Sequence, residues 1–495
     1  MKKLLFILPI IFLSLQFTNI CYAGSNLTDK TFINMSPSDD VHHTNEASST
    51  HAGTSEHHAP EPEPWAVIPF VALLLMIATG PLFFAHFWHR YYPVIAVSLG
   101  FLVIGYYVFV LGNVHQPIHS VAEYISFIAL LSALFVASGG ILIKVDKAGT
   151  PAVNVMILII GAIIANIIGT TGASMLLIRP FIRLNKDRIK PYHIIFFIFI
   201  ISNAGGSLTP IGDPPLFLGF LKGVPFFWTL QNVFFDWTVA IGLLTLIFFL
   251  KDRANHIQAN QTTNNYSGKI EIKGAHSIIW LAITIGAVFI DPNVLAWVPA
   301  LTIDGTNFSF VREIIMFIAA FMAYKTASKE SLKGNEFDFE PIKEVAYIFI
   351  GIFATMMPAL QLIGTFASSP SGQEMVSIHS LYWATGSLSG VLDNAPTYLN
   401  FLAAGMGKFG LDIGDKLQVL EFVNNHAHEL AAVSVSSVFF GAMTYIGNAP
   451  NFMVKSIAEQ AGIDMPAFMA YIVKYSLPIL LPVLFVTWLI FFVLF

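Results

Sequence analysis

The sequence predicts an all-α polytopic membrane protein of inverted repeats, with two re-entrant hairpins and two broken transmembrane helices. Three observations carry this. The chain is 55% hydrophobic and only 11% charged over 495 residues, whereas a soluble domain carries about 25% charged residues. Apolar runs of spanning length recur almost to the last residue. One short string is written twice, as SLTPIGDPP at 207–215 and AMTYIGNAP at 442–450. Aligned, Thr209 meets Thr444, Gly212 meets Gly447, Asp213 meets Asn448 and Pro215 meets Pro450. Unwound backbone at membrane depth is tolerated only where it is buried in protein or lines a cavity. Paired interruptions in two halves of a membrane protein point to a transport site.

The elements follow in chain order. Residues 1–23 read as a signal peptide: Met1-Lys2-Lys3 is basic, Leu4 to Phe17 is apolar but short for a span, and Cys21-Tyr22-Ala23 precedes a cleavable Gly24. The only cysteine, Cys21, leaves with it. Residues 24–64 form a polar, His-rich exported tail ending in a Pro-rich stretch, with too few apolar residues to bury a core. His42, His43, His57 and His58 are weak metal ligands. They lack the fixed spacing of a structural zinc site, and a solvated tail is the plainer reading.

Residues 65–495 form the transmembrane domain, with inverted repeats over about 93–250 and 311–495. Spans are expected near 65–85, 93–112, 121–144, 193–221, 228–250, 276–303, 311–326, 344–366, 429–457 and 469–495. The stretches 152–182 and 378–406 are apolar but interrupted, and read as hairpins that enter and leave on one side.

Loop charge tests this. With residue 24 outside, Lys144, Arg179, Arg183, Lys186, Arg188, Lys190, Lys251, Lys273, Lys329 and Lys455 fall inside, and mainly Lys222, Arg312, Lys408 and Lys416 fall outside. That satisfies the positive-inside rule. The same count opens the first hairpin inward and the second outward, so the halves are inverted. The location expected is the cytoplasmic (inner) membrane of a bacterium, with the mature N-terminus exported.

Each half supplies a hairpin tip and a broken span. The candidate ion or substrate ligands are Asn166, Thr170, Thr209 and Asp213, then Asp393, Asn394, Thr397, Thr444 and Asn448. Gly169, Pro210, Gly212, Pro396, Gly447 and Pro450 are the candidate helix-break residues, because Gly and Pro permit unwinding. Breaking a helix exposes orphan N–H and C=O groups whose partial charges can hold an ion or a substrate head group. Hydroxyl, amide and carbonyl oxygens suit a small hard cation such as Na+. Asp213 and Asp393 each place an acid where burial of charge costs at least about 2.5 kcal/mol, so both read as functional. A carboxylate there can hold a proton or a Na+ but not easily both, which is the chemistry of exchange. Ser202 and Asn203 read as interhelical hydrogen bonds; Asp236, Asp291 and Glu123 read as solvated span ends.

ISNAGGSLTPIGDPP (201–215) resembles the signature of NhaD-type sodium/proton antiporters, and LDNAPT (392–397) is similar to the hairpin motif of that group and of arsenite permeases. All belong to the ion transporter superfamily, which also holds citrate and dicarboxylate carriers. The chain looks closest to a divergent branch described as citrate transporters or sodium/proton antiporters. The resemblance implies a transport domain of hairpins and broken helices, a scaffold that makes a homodimer, and an elevator-type motion. Asp213 is followed by Pro214 and Pro215, where NhaD-type proteins continue with Thr.

The reading is therefore a secondary transporter rather than an enzyme. It is taken first as a Na+/H+ antiporter using Asp213 and Asp393, with a Na+- or H+-coupled citrate or dicarboxylate carrier as the alternative. Arsenite efflux is a further, weaker option. An intramembrane aspartyl protease would also need two embedded aspartates, but it leaves the repeated string idle. No cofactor and no nucleic acid are expected; Na+ is cargo.

Overall fold

The computed structural model describes residues 61–494 except 146–148, 260–268, 293–294, 296 and 304–305. The expected signal peptide, and His42, His43, His57 and His58 of the expected tail, lie outside the described residues. Seven described helices are long and apolar enough to cross a membrane.

A helical frame forms first. α1 (Ile68–Phe83) and α2 (Ala85–Val110) lead into α3 (His115–Gly139). α3 packs on α12 (Glu340–Ser368), where Phe127 stacks on Phe349 with ring centroids 4.5 Å apart. Ser120 Oγ donates to the Phe353 carbonyl at 2.6 Å, across the same helix pair. Lipid offers no hydrophobic drive between helices, so close packing and such hydrogen bonds hold them.

The chain then turns through β1 (Leu142–Val145) into α4 (Pro151–Leu184). By length α4 could span a membrane, but its ends meet. Gly149 N donates to the Leu184 carbonyl at 2.8 Å, and the Asn154 and Asn185 amides exchange two hydrogen bonds at 2.8 Å. The reversal is at Gly169, with φ 80° and ψ 153°, a conformation an L side chain resists. α4 is therefore the first hairpin, with arms 151–168 and 170–184.

A buried clasp closes its base. The Asp252 carboxylate accepts from Arg188 at 2.6 and 2.8 Å, from the Tyr192 hydroxyl at 2.7 Å and from the Asn154 amide at 2.8 Å. His193 Nε2 lies 2.9 Å away.

α5 (Pro191–Ile200) starts at that clasp and breaks into a 3-10 turn at Ala204–Gly206. The chain resumes as α6 (Pro214–Lys222), followed by α7 (Trp228–Asn232) and α8 (Phe234–Ala259). β2 (Ile270–Lys273) pairs antiparallel with β1, Leu142 opposite Lys273. This small brace was not expected from the sequence. Next come α9 (Ser277–Val288), the strand pair β3 (Leu301–Ile303) and β4 (Thr306–Phe308), α10 (Val311–Thr326) and α11 (Lys329–Gly334). The expected span at 276–303 is thus a twelve-residue helix that stops before Asp291-Pro292, with a strand at its far end.

The second half follows α12 with α13 (Pro370–Met375), α14 (Ile378–Ser389) and α15 (Asn394–Gly407). α14 and α15 form the second hairpin: Gly405, near the end of one, lies against Leu381, near the start of the other. α16 (Lys416–Asn425) leads to α17 (Ala427–Phe440), a 3-10 turn at Gly441–Met443, and α18 (Ala449–Gln460). α19 (Phe468–Leu494) ends the chain with π-helical segments, one around Pro478.

The two hairpins open to opposite faces. The base of the first sits at the Arg188–Asp252 clasp. α15 packs along α6 and leaves Asp213 toward the other face, where Lys416 lies against Gly223. Two inverted hairpins and two broken helices are the architecture of this all-α membrane protein.

Candidate functional site

The repeated string folds into a repeated loop. Asp213 has φ −143° and ψ 145°, and Asn448 has φ −152° and ψ 141°. Each is the N-cap of the helix after its break, with Pro at the first or second helical position, where its missing N–H costs nothing. In both loops the second glycine presses on the carbonyl of the first: Gly212 on Gly206, and Gly447 on Gly441. A Cβ has no room there. Pro210 lies in the unwound stretch, whereas Pro396 and Pro450 fall within the first turns of α15 and α18. In the second hairpin the reversal itself runs from Gly390 to Asp393.

Neither N-cap side chain bonds its own helix. That frees the Asp213 carboxylate, which is 1% exposed. Its Oδ1 accepts from Thr170 Oγ1 at 2.7 Å and Asn448 Nδ2 at 2.9 Å; its Oδ2 accepts from Asn394 Nδ2 at 2.7 Å. Thr170 comes from the first hairpin, Asn394 from the second and Asn448 from the second break, so all four interrupted elements meet on one carboxylate. Asn448 Nδ2 also donates to the Ser202 carbonyl at 3.1 Å. Two acceptors on one atom leave no choice of amide orientation.

The other sequence candidates have different tasks. Asn166 seats the first tip: its amide donates to the Ala162 and Gly205 carbonyls at 2.9 and 2.6 Å, and its Oδ1 accepts from Leu208 N at 2.8 Å. Thr209 Oγ1 donates to the Asn166 carbonyl at 2.5 Å, and Thr170 N donates to the Gly212 carbonyl at 2.8 Å. Thr444 Oγ1 accepts from Ile446 N and Gly447 N, both at 3.2 Å. Asp393 caps α15 through Ala395 N at 3.0 Å, and Thr397 Oγ1 donates to the Asp393 carbonyl at 2.8 Å. Asn394, not Asp393, reaches Asp213, because the helix begins one residue after the acid and turns the acid toward its own cap.

Asn203 and Asn451 join the two breaks. Asn451 donates to the Gly441 and Thr444 carbonyls at 2.8 and 2.9 Å, and its Oδ1 accepts from Asn203 Nδ2 at 2.7 Å. Asn203 thus fits its reading as an interhelical tie, while Asn451, three residues past Asn448 and just after the AMTYIGNAP string, went unread. Ser202 Oγ pairs with Ser174 Oγ at 2.8 Å. Asp236, expected to be wet, is 4% exposed, because it shares the inward side of α8 with the buried Val233, Trp237 and Ala240.

The electrostatics follow from the helix ends. The N-termini of α6, α15 and α18 begin at Asp213, Asn394 and Asn448 and meet there. Helix N-termini and side-chain N–H groups favour negative charge. Among the described residues no Lys or Arg forms an ion pair with Asp213. The three donors leave one lone-pair direction of Oδ2 for a proton or a cation.

No curated protein matches the chain. The model of the family described as "Putative citrate transport" matches residues 60–492, and this multi-pass membrane transporter belongs to that family.

Proposed function

We propose that the protein is a secondary carrier that moves an organic polycarboxylate of the citrate class together with a cation, Na+ or H+. One observation carries this reading: three helix N-termini and two amide groups converge on Asp213. That environment stabilises an anion, and Asp213 is the anion already there. A substrate carboxylate can share the site only when a cation or proton cancels the Asp213 charge. Coupling is then a consequence of charge balance rather than a separate device. To hold Na+, the Asn394 amide would turn its oxygen toward the ion, since N–H groups cannot ligate it. A homodimeric scaffold and an elevator-type motion of the hairpins and broken helices belong to the same proposal.

Na+/H+ exchange is the second reading. It is favoured by the all-neutral donor set around Asp213, by a second acid, Asp393, beside Asn394, and by the 201–215 motif. The two differ in one measurement. Purified protein in liposomes with a trapped pH dye is given Na+, Li+, K+ and labelled citrate in turn. Citrate accumulation that rises with inward Na+ or acid supports the carrier. Proton movement driven by Na+ alone, with no citrate uptake, would install the antiporter in its place.

A further inference from the structure

The anion-carrier reading leaves a question of entry. Among the described residues no Lys or Arg forms an ion pair with Asp213, so a polycarboxylate must be attracted elsewhere first. The structure has a small open cleft for this, of about 50 Å³, lined in part by Gln116, His119, Glu123, Lys222, Gln361 and Asp412. That is room for a few waters or for one carboxylate group entering from the open side. It lies between α3, α12, the end of α6 and the loop after α15. It is at the start of α3, whereas the basic loop and the Arg188–Asp252 clasp lie toward the other end, beyond a 25-residue helix.

Lys222 is the connection. It is the last residue of α6, and Asp213 is the N-cap of the same nine-residue helix. At 1.5 Å per residue the two ends are about 13 Å apart, so one rigid element presents an acid at the coupling site and an ammonium in the cleft. Lys222 Nζ lies 2.7 Å from Glu123 Oε1, with side chains only 13% and 20% exposed. Glu123 is thus a carboxylate held at a lysine inside a cleft that Gln116, His119 and Gln361 share with Asp412 and with apolar side chains such as Phe353 and Leu360. It was read from sequence as a solvated span end, and the structure gives it a partner.

We propose that Lys222 is the capture residue for a carboxylate of the substrate, and that Glu123 is the placeholder this carboxylate displaces. Gln116 and Gln361 line the cleft beside the pair and can donate to the incoming carboxylate. Substrate that replaces Glu123 is then bound to the helix that carries Asp213. Lys222 is a specificity-determining residue in this scheme, distinct from the coupling group.

The test exploits opposite signs. Lys222→Gln removes the captor, so the KM for citrate uptake should rise about fivefold with little change in the maximal rate. Glu123→Gln removes the competitor, so the KM should fall by a similar factor. Lys222→Arg should restore most of the affinity. A pair that only ties two helices together predicts shifts in the same direction for both variants, and that result would overturn the proposal. Monodisperse size-exclusion profiles guard against misfolding, and the Arg variant keeps the test decisive if Lys222→Gln expresses poorly: unaltered KM in Glu123→Gln together with Lys222→Arg also overturns it. Absence of any polycarboxylate uptake by the wild-type protein would remove the carrier reading itself, and this subsite with it. Uptake with shifts of the same sign would remove the subsite alone.

Discussion

Asn394 Nδ2 lies 2.7 Å from Asp213 Oδ2, although 181 positions separate the two residues. One comes from the tip of the second hairpin, the other from the break in a helix of the first repeat. This bond, with that from Asn448 at 2.9 Å, joins the two halves through one carboxylate. A change in the charge of Asp213 is therefore felt at once by elements of both repeats. That is what the proposed coupling of a cation to substrate movement requires.

Asp213→Asn is expected to fold and insert. Its repeat counterpart is already an amide with nearly the same backbone angles, so the loop accepts the shape. The amide cannot take up a proton or balance a cation, and its N–H₂ faces the Asn394 amide. Cation-dependent uptake should fall about 100-fold or more, as expected when a charged hydrogen-bond partner worth up to about 3 kcal/mol is lost. Wild-type stimulation by Na+ or acid in the variant would show that Asp213 is not the coupling group.

The two loops make a paired backbone prediction. Gly212→Ala and Gly447→Ala should each prevent recovery of folded protein, since the new Cβ meets the Gly206 or Gly441 carbonyl. Gly242→Ala in α8 meets nothing within 4 Å and should leave the unfolding temperature unchanged or raise it, by up to about 1 kcal/mol in stability. Fluorescence size-exclusion and thermal scans in detergent read all three. Normal yield and midpoint for Gly212→Ala would mean that the loop is looser than drawn.

At the base of the first hairpin, Asp252→Ala leaves Arg188 buried without its partner. Breaking such a pair costs about 3–5 kcal/mol. The expected result is a lower unfolding midpoint and faster proteolysis between Arg179 and Lys190. An unchanged midpoint would reduce the clasp to a contact without energetic weight.

The strand brace should be insensitive to mild acid. Hydrogen bonds from Lys144 and Lys273 hold the Glu330 carboxyl down at about 2, and Glu330 holds the Lys273 ammonium above its usual range. A depressed carboxylate contributes above its unfolded value and loses that contribution only as pH falls through the folded one. A raised ammonium contributes below its unfolded value and loses that only as pH rises through the folded one. Between pH 5 and 8 both groups stay charged. Amide exchange at 270–273, corrected for intrinsic rate, should give equal protection at the two pH values, and Glu330→Gln should lower it at both. Protection that disappears at pH 5 would place control of the brace elsewhere.

Much of the fold is legible in the chain because the bilayer makes composition and period decisive. A run of apolar residues must be a helix where no water satisfies the backbone, so ISNAGGSLTPIGDPP in one such run, and its echo after residue 441, mark the breaks directly. The duplicated glycines and the charge asymmetry of loops such as 179–190 carry the inversion. What the sequence left open was partner choice. Asp393 and Asn394 are adjacent, and only the start of α15 decides that the amide points to Asp213 while the acid caps its own helix. Asp236 and Asn451 look like ordinary span-end polarity until the buried side of α8 and the Gly441 carbonyl fix where they sit. Lys222 reads as a loop lysine until α6 is seen to place it opposite Glu123. Period and composition act along the chain over a few turns of helix. Hydrogen-bond geometry within 3 Å is set by elements more than a hundred residues apart, and only the tertiary structure brings them together.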